Sequence, residues 1–236
     1  MRMIIVSAGV ALILALAGTP LAIAVFVRRG YALPGAAGIG PDAPGRSTPT
    51  MGGAVIVIAS LIGYLAGHVV TGNISGLSGI EALAVMTGLG LIGLGADIRM
   101  VRRQASCALP WAARATPGLD RLQAAAAMLA LAGYVVIVHG QLSNCAVMLM
   151  RNCYVVRNPL DLAVVAASVL GGCLGLVCWN AHRPKISLGV TGTLALAGVL
   201  AGLAAHGDTQ VLVAAGGLVV IVTLAVTGWS RSRSAP

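Results

Sequence analysis

Charge is scarce in this sequence. Of 236 residues only 9% are Asp, Glu, Lys or Arg, against about a quarter in soluble domains, so a water-soluble globular fold is excluded. Aromatic residues make up 3%, with a single phenylalanine, so large rings cannot supply most of the packing. Six acidic residues leave little from which to build a site of several carboxylates. Five cysteines without a CxxC pair fit neither a disulfide scaffold nor a metal pattern. No nucleophile elbow or Walker loop is present. Disorder is excluded by the opposite property: 58% of residues are hydrophobic and the mean hydropathy is +0.95, where disordered chains have low hydrophobicity. What remains is an all-α fold, a polytopic helical membrane protein forming a single integral-membrane domain over residues 1–236, because lipid forces backbone polar groups to pair within helices.

The apolar runs give the spans. Met3–Val27 carries no charge and ends at Arg28-Arg29; the apolar region of a signal peptide is only about 7–15 residues, so this is read as the first span. Further runs follow at Ala54–Val70, Ala82–Ala96, Leu122–Val138, Leu162–Trp179, Leu188–Ala205 and Val211–Val226, giving about seven transmembrane helices of about 20 residues each. The third run is short and lies between Glu81 and Asp97, so its ends are expected at an interface or a polar cavity. The stretch Cys145–Met150 is too short to cross.

The 15 basic residues, 14 of them Arg and one Lys185, give a net charge of +9. They lie between apolar runs, which reads as topology signal and anionic-lipid contact rather than nucleic-acid binding. Loops at 28–50, 97–121 and 180–187 and the tail from Ser230 carry twelve of them, and the opposite side three. The bias predicts an external N-terminus and a cytoplasmic C-terminus in a bacterial plasma membrane. No intramembrane charge pair marks a transport pathway. The 32 glycines, among them Gly88, Gly90, Gly171 and Gly172, are expected to let helices approach closely. The pattern Gly88-Leu-Gly-Leu-Ile-Gly93 falls inside a span and so is not a dinucleotide fingerprint.

The first cytoplasmic loop ends Gly45-Arg-Ser-Thr-Pro-Thr-Met-Gly-Gly53. Its hydroxyls and glycines have two readings: exposed N–H groups suited to phosphate, or a turn with Thr50 as N-cap of the next helix. Ser47–Gly53 resembles the first-loop signature of the phospho-N-acetylmuramoyl-pentapeptide translocase family of polyprenyl-phosphate phosphosugar transferases. Gly18-Thr-Pro20 through Arg28-Arg-Gly-Tyr31 is similar to that family's start. Gly90-Leu-Ile-Gly-Leu-Gly-Ala-Asp97 is similar to the end of its third span, and Asn180-Ala-His through Gly198 to its Asn-Ala-His-Pro…Gly-Asp-Thr-Gly-Ser loop.

The resemblance implies transfer of a phosphosugar from a uridine nucleotide to undecaprenyl phosphate at the cytoplasmic face, with Mg²⁺ held by carboxylates. It implies substrate contacts at Thr48, Thr50, Gly52, Gly53, Asn180, His182, Gly189, Thr191 and Gly192, and a remnant catalytic and metal role for Asp97. Asp161, in a faint echo of a further family motif at Asn158-Pro-Leu-Asp161, is a candidate only if an irregular segment at 141–161 brings it to the cytoplasmic cleft. Partners implied are membrane lipid, undecaprenyl phosphate, a uridine-nucleotide sugar and a dimer mate, either a second copy or a related enzyme.

Departures from the family pattern are specific. Ala96-Asp97 stands where the family has Asp-Asp, and Val190 where it has the Asp of Gly-Asp-Thr-Gly-Ser. An aliphatic side chain cannot bind Mg²⁺, which takes oxygen ligands. The family's late histidine-rich loop finds no match before Pro236, and seven spans are fewer than its ten or so. Asp97 has a second reading, as an interfacial partner of Arg99, Arg102 or Arg103. His68, His139 and His206 read as interfacial residues at span ends. Two functions follow: a transferase with impaired or lost catalysis, or a non-catalytic scaffold that binds lipid or nucleotide sugar and modulates a complete enzyme.

Overall fold

The computed structural model describes residues 2–28, 32–33, 48–49, 51–72, 76–106, 124–136, 138, 159–180, 186 and 188–207. The elements are α1 (Arg2–Arg28), β1 (Ala32–Leu33), β2 (Thr48–Pro49), α2 (Gly52–Thr71), α3 (Leu77–Ser106), α4 (Ala124–Val136), α5 (Pro159–Asn180) and α6 (Gly189–Gly207). Five of these helices, α1, α2, α3, α5 and α6, are long and apolar enough to cross a membrane. The chain is therefore an all-helical, multi-pass membrane protein. The two short strands pair antiparallel, Leu33 opposite Thr48, and bring the ends of the 29–50 connection together.

Four predicted spans agree with observed helices to within a few residues. The third differs. Instead of stopping at Glu81 and Asp97, α3 runs through both for 30 residues, because each carboxylate meets a partner on α6. The fourth run appears as Ala124–Val136, shorter than the five crossing helices. The seventh run, 211–226, and the stretch 145–150 lie outside the described residues.

The helices alternate in direction. Gly67 of α2 lies against Met3 and Ser7 of α1, while Gly18 lies against Val55, so α1 and α2 are antiparallel. Along α3 and α6 the order of contacts likewise reverses, Gly202 against Ala82 and Gly93 against Thr191. In contrast α5 runs parallel to α1: the Ser7 hydroxyl donates to Val164 O at 3.2 Å and Trp179 Nε1–H to Leu16 O at 2.9 Å. A core of Ile56, Met86, Leu131, Leu162, Val169, Leu196 and Leu200 joins α2 to α6, while Ile5, Ile13, Leu21, Ile58, Leu65 and Leu91 point outward, as expected where the surroundings are as apolar as the core.

Small residues set the helix spacing. A side-chain carbon at Gly90 would lie 3.3 Å from Val57 Cγ2, one at Gly172 3.3 Å from Ser60 Oγ, and one at Gly171 would overlap Ala8 O. Among the described residues nothing lies within 4 Å of a side-chain carbon built at Gly88.

Candidate functional site

The two polar signature segments meet at one end of the bundle, where α2 and α6 begin and the apolar part of α3 ends. The N-cap position of α2 is held by Met51 without a side-chain hydrogen bond, so Met51 stands in the position expected for Thr50; Thr50 itself lies outside the described residues. Gly52 opens α2, and Gly53 N–H donates to Leu188 O at 3.1 Å. That carbonyl also accepts from Gly192 N–H at 3.2 Å. A side chain at Gly53 would overlap the Gly192 backbone, so α2 and α6 touch main chain to main chain. Gly189 starts α6 with φ 70°, a left-handed conformation that costs glycine little, and redirects the chain at the junction.

Asp97 reaches this junction from α3. It is 3% exposed. Its Oδ1 accepts from Val190 N–H at 3.1 Å, and its Oδ2 accepts from Thr191 N–H at 2.9 Å and from the Thr191 hydroxyl at 2.6 Å. The first N–H groups of a helix have no partner within it, and the helix dipole favours negative charge there. Asp97 thus caps α6 from a different helix. Its second predicted reading names Arg99, Arg102 and Arg103, and the side chains of Arg102 and Arg103 lie outside the described residues; Asp97 makes further interactions as well.

Asn180 closes the α5–α6 connection. Its Nδ2–H donates to Ile186 O at 2.7 Å and its Oδ1 accepts from Ile186 N–H at 3.3 Å. Thr193 Oγ donates to Gly189 O at 3.1 Å. Of the predicted site residues, the structure gathers Gly53, Asp97, Gly189, Thr191 and Gly192 into one junction, with Gly52 beside it and Asn180 at the end of α5. Thr48 is described only as backbone in the β1–β2 pair. Thr50 and His182 lie outside the described residues.

Asp161 is elsewhere. It sits in the first turn of α5, at the end of the bundle remote from Asp97, and does not share a cleft with it. It is 7% exposed, and its Oδ1 accepts from Tyr64 O–H at 2.8 Å and lies 3.1 Å from His68 Nε2. Its Oδ2 accepts from Gly79 N–H at 2.8 Å. His68 Nδ1 lies 3.0 Å from Tyr64 O. His68, expected only as an interfacial residue at a span end, thus has a specific buried carboxylate partner. His206 repeats the arrangement, with Nδ1 2.9 Å from Gly202 O and Nε2 2.6 Å from Glu81 Oε2, but Glu81 is 53% exposed.

Sequence reasoning missed Tyr64, Leu188 and Ile186. The spacing Tyr64-x₃-His68 on an apolar helix was a readable signal, since an ionisable residue within a span has a specific partner by default. Leu188 and Ile186 act through backbone carbonyls, for which side-chain identity gives no sign.

Mg²⁺, implied by the resemblance, finds a poor donor set here. Val190 offers no side-chain oxygen, and both oxygens of Asp97 face hydrogen-bond donors. Among the described residues no group of three or more His, Cys, Asp or Glu could hold a metal ion.

No protein-family model matches the chain. Curated proteins do. A phospho-N-acetylmuramoyl-pentapeptide-transferase of Frankia casuarinae is 35% identical over 296 aligned residues, taking in 96% of this chain and 82% of the relative. Proteins of the same name from Kineococcus radiotolerans and Streptomyces avermitilis are each 34% identical, again over 96% of this chain and 83% of their own length. The Frankia alignment is longer than the 236-residue chain itself, so that relative carries internal segments this chain lacks.

Proposed function

The chain belongs to the phospho-N-acetylmuramoyl-pentapeptide-transferase family, and on that premise we propose that it is a plasma-membrane relative of these enzymes in which phosphosugar transfer is impaired or lost. The reaction it derives from is transfer of phospho-MurNAc-pentapeptide from a uridine nucleotide to undecaprenyl phosphate. The Asp97 end of the bundle is cytoplasmic in this reading and the Asp161 end external, with the N-terminus outside. The twelve-to-three distribution of basic residues supports that orientation.

One observation carries the reading: Asp97 is bonded to the start of α6, at the position where a family carboxylate is replaced by Val190. Transition-state stabilisation by preorganised charge is worth orders of magnitude in rate, and the junction has one carboxylate already committed to the fold. The retained scaffold still offers a membrane-embedded surface, and binding of polyprenyl phosphate or nucleotide sugar without turnover is the function left to it. The test is Mg²⁺-dependent UMP release by the purified chain supplied with the uridine-nucleotide sugar and undecaprenyl phosphate. Little or no release is expected. Robust turnover that disappears in Asp97→Asn would overturn the reading.

A further inference from the structure

A metal site and an anion site want opposite neighbours. A divalent cation needs lone pairs turned toward it, and Mg²⁺ demands near-octahedral oxygen geometry. A junction rich in N–H and O–H groups is suited to an anion. At the start of α6 the donors dominate: Val190 N–H, Thr191 N–H and the Thr191 hydroxyl all point at Asp97, while Gly192 N–H and Gly53 N–H share Leu188 O.

We infer that Asp97 is a built-in anion closing this junction: it takes the α6 first-turn donors that a phosphate would need, and it is a cap rather than a ligand to a divalent cation. The inference rests on the reading of impaired or lost transfer and gives it a mechanism. A carboxylate at 190 would put a second negative charge on the residue whose N–H donates to Asp97, and like charges close together disfavour each other. Val190 removes that repulsion, so the apolar residue at 190 and the capping role of Asp97 belong together. Gly53 and Gly192 complete the closure, because their main chains are in contact where a ligand would otherwise enter between α2 and α6.

Amide hydrogen exchange on the full chain in detergent or nanodiscs tests this. First-turn amides of a helix ordinarily lack a partner, so protection at Val190 and Thr191 in the unmodified protein is the signature of the cap. Asp97→Asn is expected to speed exchange at both amides by about tenfold or more, the factor for one charge-assisted hydrogen bond. Thr191→Val keeps both amide bonds and is expected to leave Val190 protected. Mn²⁺, used as a spectroscopic substitute for Mg²⁺, is expected to bind the unmodified chain and Asp97→Asn alike. Unprotected amides at 190 and 191 in the unmodified protein overturn the inference whether or not a variant folds. So does a Mn²⁺ site lost in Asp97→Asn. Protected amides together with robust UMP release would keep the cap and sink the reading of lost transfer; unprotected amides with no release would do the reverse.

Discussion

Replacing Asp161 by Ala would remove one carboxylate and strand the groups of two other helices. Tyr64 O–H, Gly79 N–H and His68 Nε2 all address it, at 2.8, 2.8 and 3.1 Å, in a site only 7% exposed. Hydrogen bonds to a charged group are worth about 1.5–3 kcal/mol each, but they share one acceptor group and do not add. Leaving a buried donor without its acceptor costs about 1–3 kcal/mol, and with Tyr64 O–H and Gly79 N–H both stranded a total of about 3–5 kcal/mol is expected here. For a chain of this size it corresponds to a fall of roughly 10 °C in Tm. Asp161→Asn, which keeps one acceptor oxygen but turns an N–H₂ toward a second donor, should fall between the two. The assay is thermal unfolding of the purified chain in one fixed detergent, followed by near-ultraviolet circular dichroism. A loss below about 1 kcal/mol for Asp161→Ala, the level of an exposed pair, would refute the reasoning. So would loss of polyprenyl-phosphate or nucleotide-sugar binding with unchanged Tm, since Asp161 would then serve a site and not the fold.

Gly53→Ala drives a methyl group into the Gly192 main chain, where neither helix has a flexible side chain to move aside. A loss of about 1–3 kcal/mol is expected from such overpacking, read as a lower Tm and faster proteolysis at the α2 and α6 starts. Glu81→Gln breaks a short contact to His206 at a half-exposed position, so its cost should stay under about 1 kcal/mol in the same melting assay, an internal contrast with Asp161.

How much of this was legible in the sequence differs by element. Hydropathy located α1, α2, α5 and α6 because lipid-facing and core-facing positions alike are apolar in a bilayer, so a span is a run and not a pattern. It misjudged α3 because a hydropathy run stops at a charge, whereas a helix stops only where its backbone or side chains lose their partners. Glu81 and Asp97 have theirs on α6, 125 and 94 residues away along the chain, distances over which one sequence carries no pairing signal. The same limit hid Asp161, whose partners Tyr64 and Gly79 are 97 and 82 residues distant. Charge bias did better. It put the loops that begin at Arg28, Asp97 and Asn180 on one side, and the directions of α1, α2, α3, α5 and α6 bring those three positions to one end of the bundle. The motif resemblance grouped Gly53 with Gly189–Gly192, but it could not say that the contact would be backbone on backbone.

That contact changes what the remaining signature residues can mean. Paired glycines before a span read equally as a phosphate cradle or as a packing device, and the two differ in where the N–H groups go. Here Gly53 N–H and Gly192 N–H converge on Leu188 O, while Val190 N–H and Thr191 N–H converge on Asp97. Each of these four donors is thereby satisfied within the protein. An incoming phosphate would have to displace Leu188 O or the Asp97 carboxylate, and displacing the carboxylate would leave a buried negative charge without the donors that offset its desolvation. Through these bonds the glycines and Thr191 hold α2, α3 and α6 together at this end of the bundle.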